Sequence, residues 1–190
     1  KYASMVSNKE KFKETYTKLY TQKPKIARHF IHMEHNCILS HFAMLRLYEQ
    51  TWCLHHHAAI SGERKSGLIV LDRLCDFIND THPIHSDNTQ YTTGFYRTDN
   101  KFPVKFYGGA TEYLNNPKAC SIDDFAYLNF EATAVDDVDI PEPWEFSATN
   151  KGDLEDLRGF YEKRSRGLLL EAFDLTPESM GVNTLSDEYT

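Results

Sequence analysis

The chain has 190 residues, of which 41% are hydrophobic and 13% aromatic, enough for the core of one domain and part of another. Its formal net charge of −7 argues against non-specific binding to the phosphate backbone of nucleic acids. The sequence contains no run of about 18 apolar residues, so no membrane-spanning helix is predicted, and no signal peptide is recognisable.

The first third of the chain predicts one helix followed by an antiparallel meander. Residues 8–22 carry apolar and aromatic side chains at helical spacing, and Pro24 ends this helix. Residues 29–35 alternate between two faces, as in a half-buried strand. Residues 38–47 and 51–60 predict two further strands, each reached through a short turn.

The middle of the chain predicts alternating helices and strands. Residues 67–79 form an amphipathic helix, and residues 90–97 form a strand. A second helix runs from about residue 100 to Tyr113, followed by a strand over residues 124–131. The predicted buried stripe of the first of these helices is Leu68, Leu71, Leu74, Cys75 and Ile78.

The last third begins with an acidic, proline-containing stretch. Residues 135–143 are a linker by composition, and residues 144–149 predict a short strand. Residues 150–164 predict a capped helix, and residues 167–175 are compatible with either strand or helix. The last 14 residues are polar and are predicted either to be frayed or to belong to a truncated continuation.

The four cysteines indicate a reducing environment. They include no Cys-x-x-Cys pair, which disfavours a zinc site built on cysteines. Cys53 and Cys75 lie in apolar segments and are predicted to be buried free thiols. Unpaired buried thiols suit a reducing compartment, so the sequence predicts a cytoplasmic protein.

The most informative segment is residues 54–79, which predicts a strand, a turn and a helix. The turn contains Arg64 and, three residues later, Gly67. Backbone N–H groups at a helix N-terminus bind anions, and the helix dipole adds to this attraction. A phosphate-bearing cofactor is therefore the first ligand to consider. The alternative is an ordinary strand-to-helix turn that binds nothing.

This order of elements resembles the GNAT superfamily of acyl-CoA-dependent N-acyltransferases. The family's phosphate motif, Gln/Arg-x-x-Gly-x-Gly/Ala, is matched by Arg64-Lys65-Ser66-Gly67-Leu68-Ile69, with Ile69 in place of the last small residue. The resemblance implies an α/β fold whose mixed, mostly antiparallel sheet is flanked by helices. It also implies that the strand before the turn diverges from the next one and leaves a gap for the pantetheine arm of the cofactor.

A second pattern supports the resemblance. The family often carries Asn-x-x-Ala-x-x-x-Tyr, and this chain keeps Asn100 and Tyr107, with Pro103 in the alanine position. By resemblance, Asn100 belongs to the cofactor site, and Tyr107 protonates the thiolate that leaves. The similarity covers roughly residues 29–131.

The resemblance also implies a domain organisation. Residues 1–134 would form a GNAT-like acyltransferase domain, followed by the linker. Residues 145–154, at the start of the segment 144–190, resemble the family's opening strand and helix. They would therefore begin a second GNAT-like repeat, or would extend the first domain and complete its sheet by permutation or by exchange within a homodimer.

The function implied is transfer of an acetyl or other acyl group from acyl-CoA to an amine on a small molecule or a protein, without nucleic-acid or membrane partners. The alternative is a GNAT-like module that has lost catalysis and serves in binding or regulation. Backbone groups of the strand's end would polarise the thioester carbonyl. The predicted cofactor-binding residues are His57, Ala58, Ala59, Ile60, Arg64, Lys65, Ser66, Gly67, Leu68, Ile69 and Asn100.

The candidate bases are His55, His57 and Glu34. An imidazole titrates near working pH, and alternation along a strand puts His55 and His57 on one face with His56 on the other. Glu34 would need a raised pKa to act near neutrality. Three consecutive strand histidines diverge and cannot by themselves chelate one ion. Neighbouring strands could add His29, His32, His35 and His41 as ligands, but no metal site is predicted.

Overall fold

The computed structural model describes residues 6–62, 64–126, 128, 141–164 and 168–190, without the side chains of residues 64 and 164. The chain divides into two compact units. The first unit comprises Lys1–Thr98, Ala172–Asp174 and Gly181–Thr190, and the second comprises Asp99–Glu171 and Leu175–Met180.

Within the described residues, the first unit contains one four-stranded mixed sheet in the order β1-β2-β3-β4. β1–β2 and β2–β3 are antiparallel, and β3–β4 is parallel. The predicted α/β class, with a mixed and mostly antiparallel sheet flanked by helices, is confirmed. The strands are β1 (Ala27–Glu34), β2 (Cys37–Tyr48), β3 (Thr51–Ala59) and β4 (Tyr91–Thr93).

Two longer helices belong to this unit, α1 (Lys9–Gln22) and α2 (Arg64–Thr81), and a 3-10 turn follows at His85–Asp87. The α1 prediction is confirmed. α2 packs on the sheet through a core of Val70, Leu71, Leu74, Phe42, Met44 and Trp52.

The buried stripe of α2 differs from the prediction. Leu68 is 54% exposed and Cys75 is exposed, whereas Val70 is buried. Positions three and four apart share a helix face, and the face that meets the sheet contains Val70, Leu71 and Leu74. Leu68 and Cys75 lie on its flank, so the prediction of Cys75 as a buried thiol is wrong, while that of Cys53 is confirmed.

The hairpin and the last strand also differ in detail. The turn between β1 and β2 is His35–Asn36, both at positive φ (48° and 65°), as two-residue hairpin turns require, and Cys37 already begins β2. The strand predicted over residues 90–97 is only β4, three residues long, because its parallel pairing to β3 stops at Thr93.

The second unit is helical where the sequence predicted helices. The prediction over residues 100–113 is confirmed, with a π-helical turn at Val104–Gly108 between two short helices. The helix predicted from Asn150 is also confirmed. The Asn150 side-chain oxygen accepts the N–H of Gly152 at 2.8 Å, and the Asp153 carboxylate accepts the N–H of Asn150 at 2.8 Å. These helices are α3 (Lys101–Pro103), α4 (Gly109–Leu114), α5 (Lys151–Arg164) and α6 (Leu169–Ala172).

Two predicted strands are wrong where the structure describes them. Residues 124–126 and 128 are not in a strand, and the other residues of 124–131 lie outside the described ones. Residues 144–149 form no strand, and Trp144 and Phe146 are 75% and 90% exposed. Alternation alone does not make a strand when no neighbouring strand pairs with it. Of the predicted linker, residues 135–140 lie outside the described part of the chain.

The C-terminal end is ordered rather than frayed, because it docks on the β2–β3 turn. The Glu49 carboxylate accepts the N–H of Leu185 at 2.8 Å and the hydroxyl of Thr184 at 2.5 Å. The last helix, α7 (Ser186–Tyr189), places the Tyr189 hydroxyl to donate to the carbonyl of Arg46. The prediction that this end is frayed, which rested on its polar composition, is therefore wrong. None of the helices in the described residues has the length and apolar character to cross a membrane.

Candidate functional site

The first notable feature is the divergence of β3 from β4. Their parallel register has three pairs, ending at Cys53 opposite Thr93, although β3 is nine residues long. Gly94 follows β4, and a Cβ there would lie 3.4 Å from the carbonyl oxygen of Leu54. Residues 54–59 then continue without a β4 partner. The open edge, defined as this part of β3, leads directly to the start of α2.

The end of β3 presents backbone groups to both of its sides. The N–H of Ile60 donates to the carbonyl of Leu39 on β2 at 2.9 Å, so it is already used within the sheet. Consecutive strand residues point their N–H groups to opposite sides. The N–H of Ala59 therefore points to the open edge, whereas that of Ala58 points to β2.

α2 begins three residues earlier than predicted. Its first residue is Arg64 rather than Gly67, so Arg64, Lys65, Ser66 and Gly67 form its first turn. Leu68 and Ile69 follow in the second turn, largely exposed. The first four N–H groups of an α-helix lack intrahelical partners. The amides that the sequence predicted to bind an anion therefore still lie at the start of the helix. The turn before the helix contains Gly62 at φ +94°, a conformation that favours glycine.

A buried polar network fixes the first turn of α2 to the sheet. The Ser66 hydroxyl donates to the Ser40 hydroxyl at 2.8 Å, and the Ser40 hydroxyl donates to the carbonyl of Ser66 at 2.7 Å. His32 Nδ1 lies 2.6 Å from Ser66 Oγ, and its Nε2 lies 3.4 Å from a carboxylate oxygen of Glu34. The candidate base Glu34 and the candidate cofactor residue Ser66 are thus linked through His32.

This network has the atom order of a hydrolase relay, carboxylate to imidazole to hydroxyl. Ser66 and Ser40 are each only 2% exposed, however, and a nucleophile must reach its substrate. The hydrogen bonds therefore serve as structural ties. The sequence analysis did not include Ser40 and His32 in the anion-binding site. Period-two alternation could have indicated them, because it puts Ser40 on the same strand face as Phe42, and His32 on the same strand face as Phe30.

The predicted arrangement of the three histidines is wrong because β3 contains a bulge. Ala43 pairs with His55 and His41 pairs with Ala58, so one residue of β2 opposes His56 and His57 together. His56 takes a positive φ of 55°. The extra residue reverses the alternation, and His55 and His57 consequently lie on opposite faces of the sheet.

On the α2 side, His57 is tied to the start of the helix. Its Nε2 lies 3.0 Å from the carbonyl oxygen of Gly67, and its ring centre lies 4.7 Å from that of Phe42. A Cβ at Gly67 would lie 3.5 Å from that of Ala59, an ordinary van der Waals contact. His57 is therefore the candidate base that lies beside the predicted anion-binding turn.

On the α1 side, four histidines and two tyrosines form what we call the histidine–tyrosine cluster. The Tyr20 hydroxyl lies 2.9 Å from His55 Nε2, and the Tyr16 hydroxyl lies 2.9 Å from His56 Nε2. The cluster consists of Tyr16, Tyr20, His29, His41, His55 and His56, with His29 Nε2 and His41 Nδ1 3.2 Å apart.

Burial and mutual repulsion keep this cluster neutral. Burial lowers the pKa of His55 to about 4, helped by His56 and His29. Burial likewise lowers the pKa values of His29, His41 and His56, and it raises the pKa of Tyr20 to about 12. Among the described residues, no group of three or more histidine, cysteine, aspartate or glutamate side chains is arranged to hold a metal ion.

The remaining candidates, Asn100 and Tyr107, belong to the second unit. The carbonyl of Asn100 accepts the N–H of Val104 at 3.2 Å at the start of α3. Tyr107 is half-buried in the π-helical turn, where its carbonyl accepts the Thr111 hydroxyl at 2.9 Å. Their assigned roles stay predictions.

Comparison with known proteins gave no matching family model and no matching curated protein. The chemistry of the site therefore has to be inferred from its own geometry. That geometry brings together the part of β3 beyond its pairing with β4, the first turn of a long helix and two imidazoles, His32 and His57.

Proposed function

We propose that this protein is an acyl-CoA-dependent N-acyltransferase with a GNAT-like fold. The observation that carries the proposal is the pairing of β3 with β4, which is parallel and stops after three residues while β3 continues to the start of α2. The resemblance requires this arrangement, a divergence of the two strands that flank the helix. The pantetheine arm would lie along the open edge and use its backbone groups.

The first turn of α2 suits the diphosphate of the cofactor. It contains no acidic residue, and Lys65 is exposed there. A helix of 18 residues presents a positive dipole end at this position, and the first N–H groups of a helix have no partner within it. The ties from Ser40 and His32 hold the turn in place, and a pre-ordered site loses less entropy on binding.

The reaction would be direct attack of an amine on the thioester. The new C–N bond forms as the C–S bond breaks, and the thiolate that leaves takes up a proton from solvent. The N–H of Ala59 would stabilise the charge on the carbonyl oxygen. The amine proton would pass to His57, or to Glu34 through water. A pKa of about 4 makes His55 a weak base near neutrality.

A thermal-shift titration with acetyl-CoA tests this proposal. Ligand at about 100 times its dissociation constant stabilises the folded state by about 2.7 kcal/mol. For a chain of this size, each kcal/mol raises the melting temperature by about 2–4 °C. We expect Lys65→Glu to abolish the shift, because the new carboxylate repels the diphosphate while its position at the helix start favours the fold.

The control for this experiment is Lys11→Glu, the same charge change at an exposed position of α1. It should keep the wild-type shift. No shift of the wild-type protein at millimolar acetyl-CoA would contradict the proposal, and equal shifts in both variants would argue against the first turn of α2 as the site.

A second candidate is a GNAT-like module that binds without catalysis. It is favoured by the engagement of both candidate histidines, since His55 bonds to Tyr20 and His57 to the carbonyl of Gly67. Such a module would show the acetyl-CoA shift but release no free thiol when a polyamine or a lysine-containing peptide is added. Thiol release that depends on the amine would instead identify the transferase.

A further inference from the structure

α1 is attached to the sheet mainly by polar contacts. None of its residues is fully buried, and only Tyr16, Leu19 and Tyr20 are partly covered. The Tyr16 ring meets His56 edge-on at 5.4 Å, and the Tyr20 ring lies 5.1 Å from His29. Burial of apolar surface therefore contributes little, and the histidine–tyrosine cluster has to supply the attachment.

The cluster is stable only while its histidines are neutral. Between His29 and His41, at 3.2 Å, one ring must donate an N–H and the other must accept with a lone pair. A doubly protonated pair has no acceptor. The rings of His55 and His56, with centres 4.4 Å apart, would also carry like charges in contact.

Among the described residues, no carboxylate is a neighbour that shifts the pKa values of these histidines. The neighbours that lower the pKa values of His29, His41 and His55 are other histidines, including His57 from the α2 side. Tyr20 is faced by the Cys53 thiol and the Tyr189 hydroxyl, whose pKa values burial raises, so both are neutral near pH 7. The charged side chains of α1 are exposed, namely Lys9, Glu10, Lys11, Lys13, Glu14 and Lys18.

We propose that the histidine–tyrosine cluster is an acid-sensitive latch that holds α1 on the sheet at neutral pH and releases it when its histidines take up protons. Release uncovers the sheet face that carries His29, His41 and His55. The proposal is independent of the acyltransferase proposal, since it concerns the face of the sheet opposite α2.

The direction of the effect follows from proton linkage. The pKa values of the docked histidines lie below their ordinary value of 6.5, so the undocked state binds more protons in acid. Docking is therefore fully favourable above pH 6.5 and weakens as the pH falls below it. The loss continues towards pH 4, the lowered pKa of His55.

Hydrogen exchange of the full chain, at about pH 7.5 and about pH 5, tests the latch across the range in which histidines titrate. After correction for the intrinsic exchange rate, we expect the amides of α1 to lose protection by about tenfold or more, since one unit of pKa is a factor of ten. The amides of α2 are the internal reference and should keep their protection. Protection of α1 that is unchanged, or that falls only together with that of α2, would overturn the proposal.

Variants test which histidines make the attachment of α1 sensitive to acid. His55→Gln combined with His56→Gln keeps an acceptor for each tyrosine but removes two titrating groups, so α1 should stay protected at both pH values. The control is His82→Gln, an exposed histidine after α2, which should behave as wild type. If acid lowered the protection of α1 in the double variant as much as in the wild type, the latch proposal would be contradicted. If the first double variant already releases α1 at neutral pH, His29→Gln combined with His41→Gln is used instead. Protection of α1 at both pH values is again expected, and an acid-induced loss equal to that of the wild type would again contradict the proposal.

Discussion

The two faces of this sheet hold their helices by different means. On one face, α2 covers an apolar core that includes Trp52, Leu74 and Val70, each 1% exposed. On the other, α1 has no buried residue and meets histidines through two tyrosine hydroxyls. Apolar burial is insensitive to pH, whereas contacts to neutral histidines depend on it. One helix therefore belongs to the permanent core, and the other is suited to conditional attachment.

The largest expected effect comes from a substitution in the apolar core between α2 and the sheet. Trp52→Ala removes the largest buried side chain, and such core truncations cost about 3–5 kcal/mol through lost transfer energy and the cavity left behind. Denaturant unfolding should show this loss in the free energy of unfolding. A loss below about 1 kcal/mol would mean that α2 is held no more firmly than α1.

An intermediate effect concerns the polar ties on that same face. Ser66→Ala leaves the buried Ser40 and the partly buried His32 without one of their hydrogen bonds, and unsatisfied buried groups cost about 1–3 kcal/mol. Ser61→Ala, an exposed serine in the turn before α2, is the control and should be within about 0.5 kcal/mol of wild type. Equal stability of the two variants would remove the argument that the network fixes the first turn.

The smallest effect concerns the α1 face. Tyr16→Phe removes one exposed hydrogen bond to His56, and we expect a cost below about 1 kcal/mol at neutral pH. Local hydrogen exchange in α1 is the measurement, because global unfolding is dominated by the other face. If global stability fell as much as in Ser66→Ala, α1 would be part of the core, and the contrast between the faces would fail.

The sequence by itself determined the elements whose signal is local. The helix at residues 8–22 and the strands at residues 29–35, 38–47 and 51–60 were predicted within about two residues, because apolar periodicity reports local geometry directly. The capped start of α5 at Asn150 was predicted from a local signal as well, because an asparagine just before a helical pattern accepts N–H groups of the first turn.

Only the tertiary structure decided how the histidines and the anion-binding turn are arranged. A bulge at His56 arises from its pairing with β2 and reverses the face of His57, and no pattern within the histidine run signals it. Ser66 contacts Ser40 and His32, residues 26 and 34 positions away, so their association appears only once strands and helix are packed. Polar contacts between residues so far apart in the sequence depend on which surfaces pack together, and a pattern along the sequence does not specify this packing.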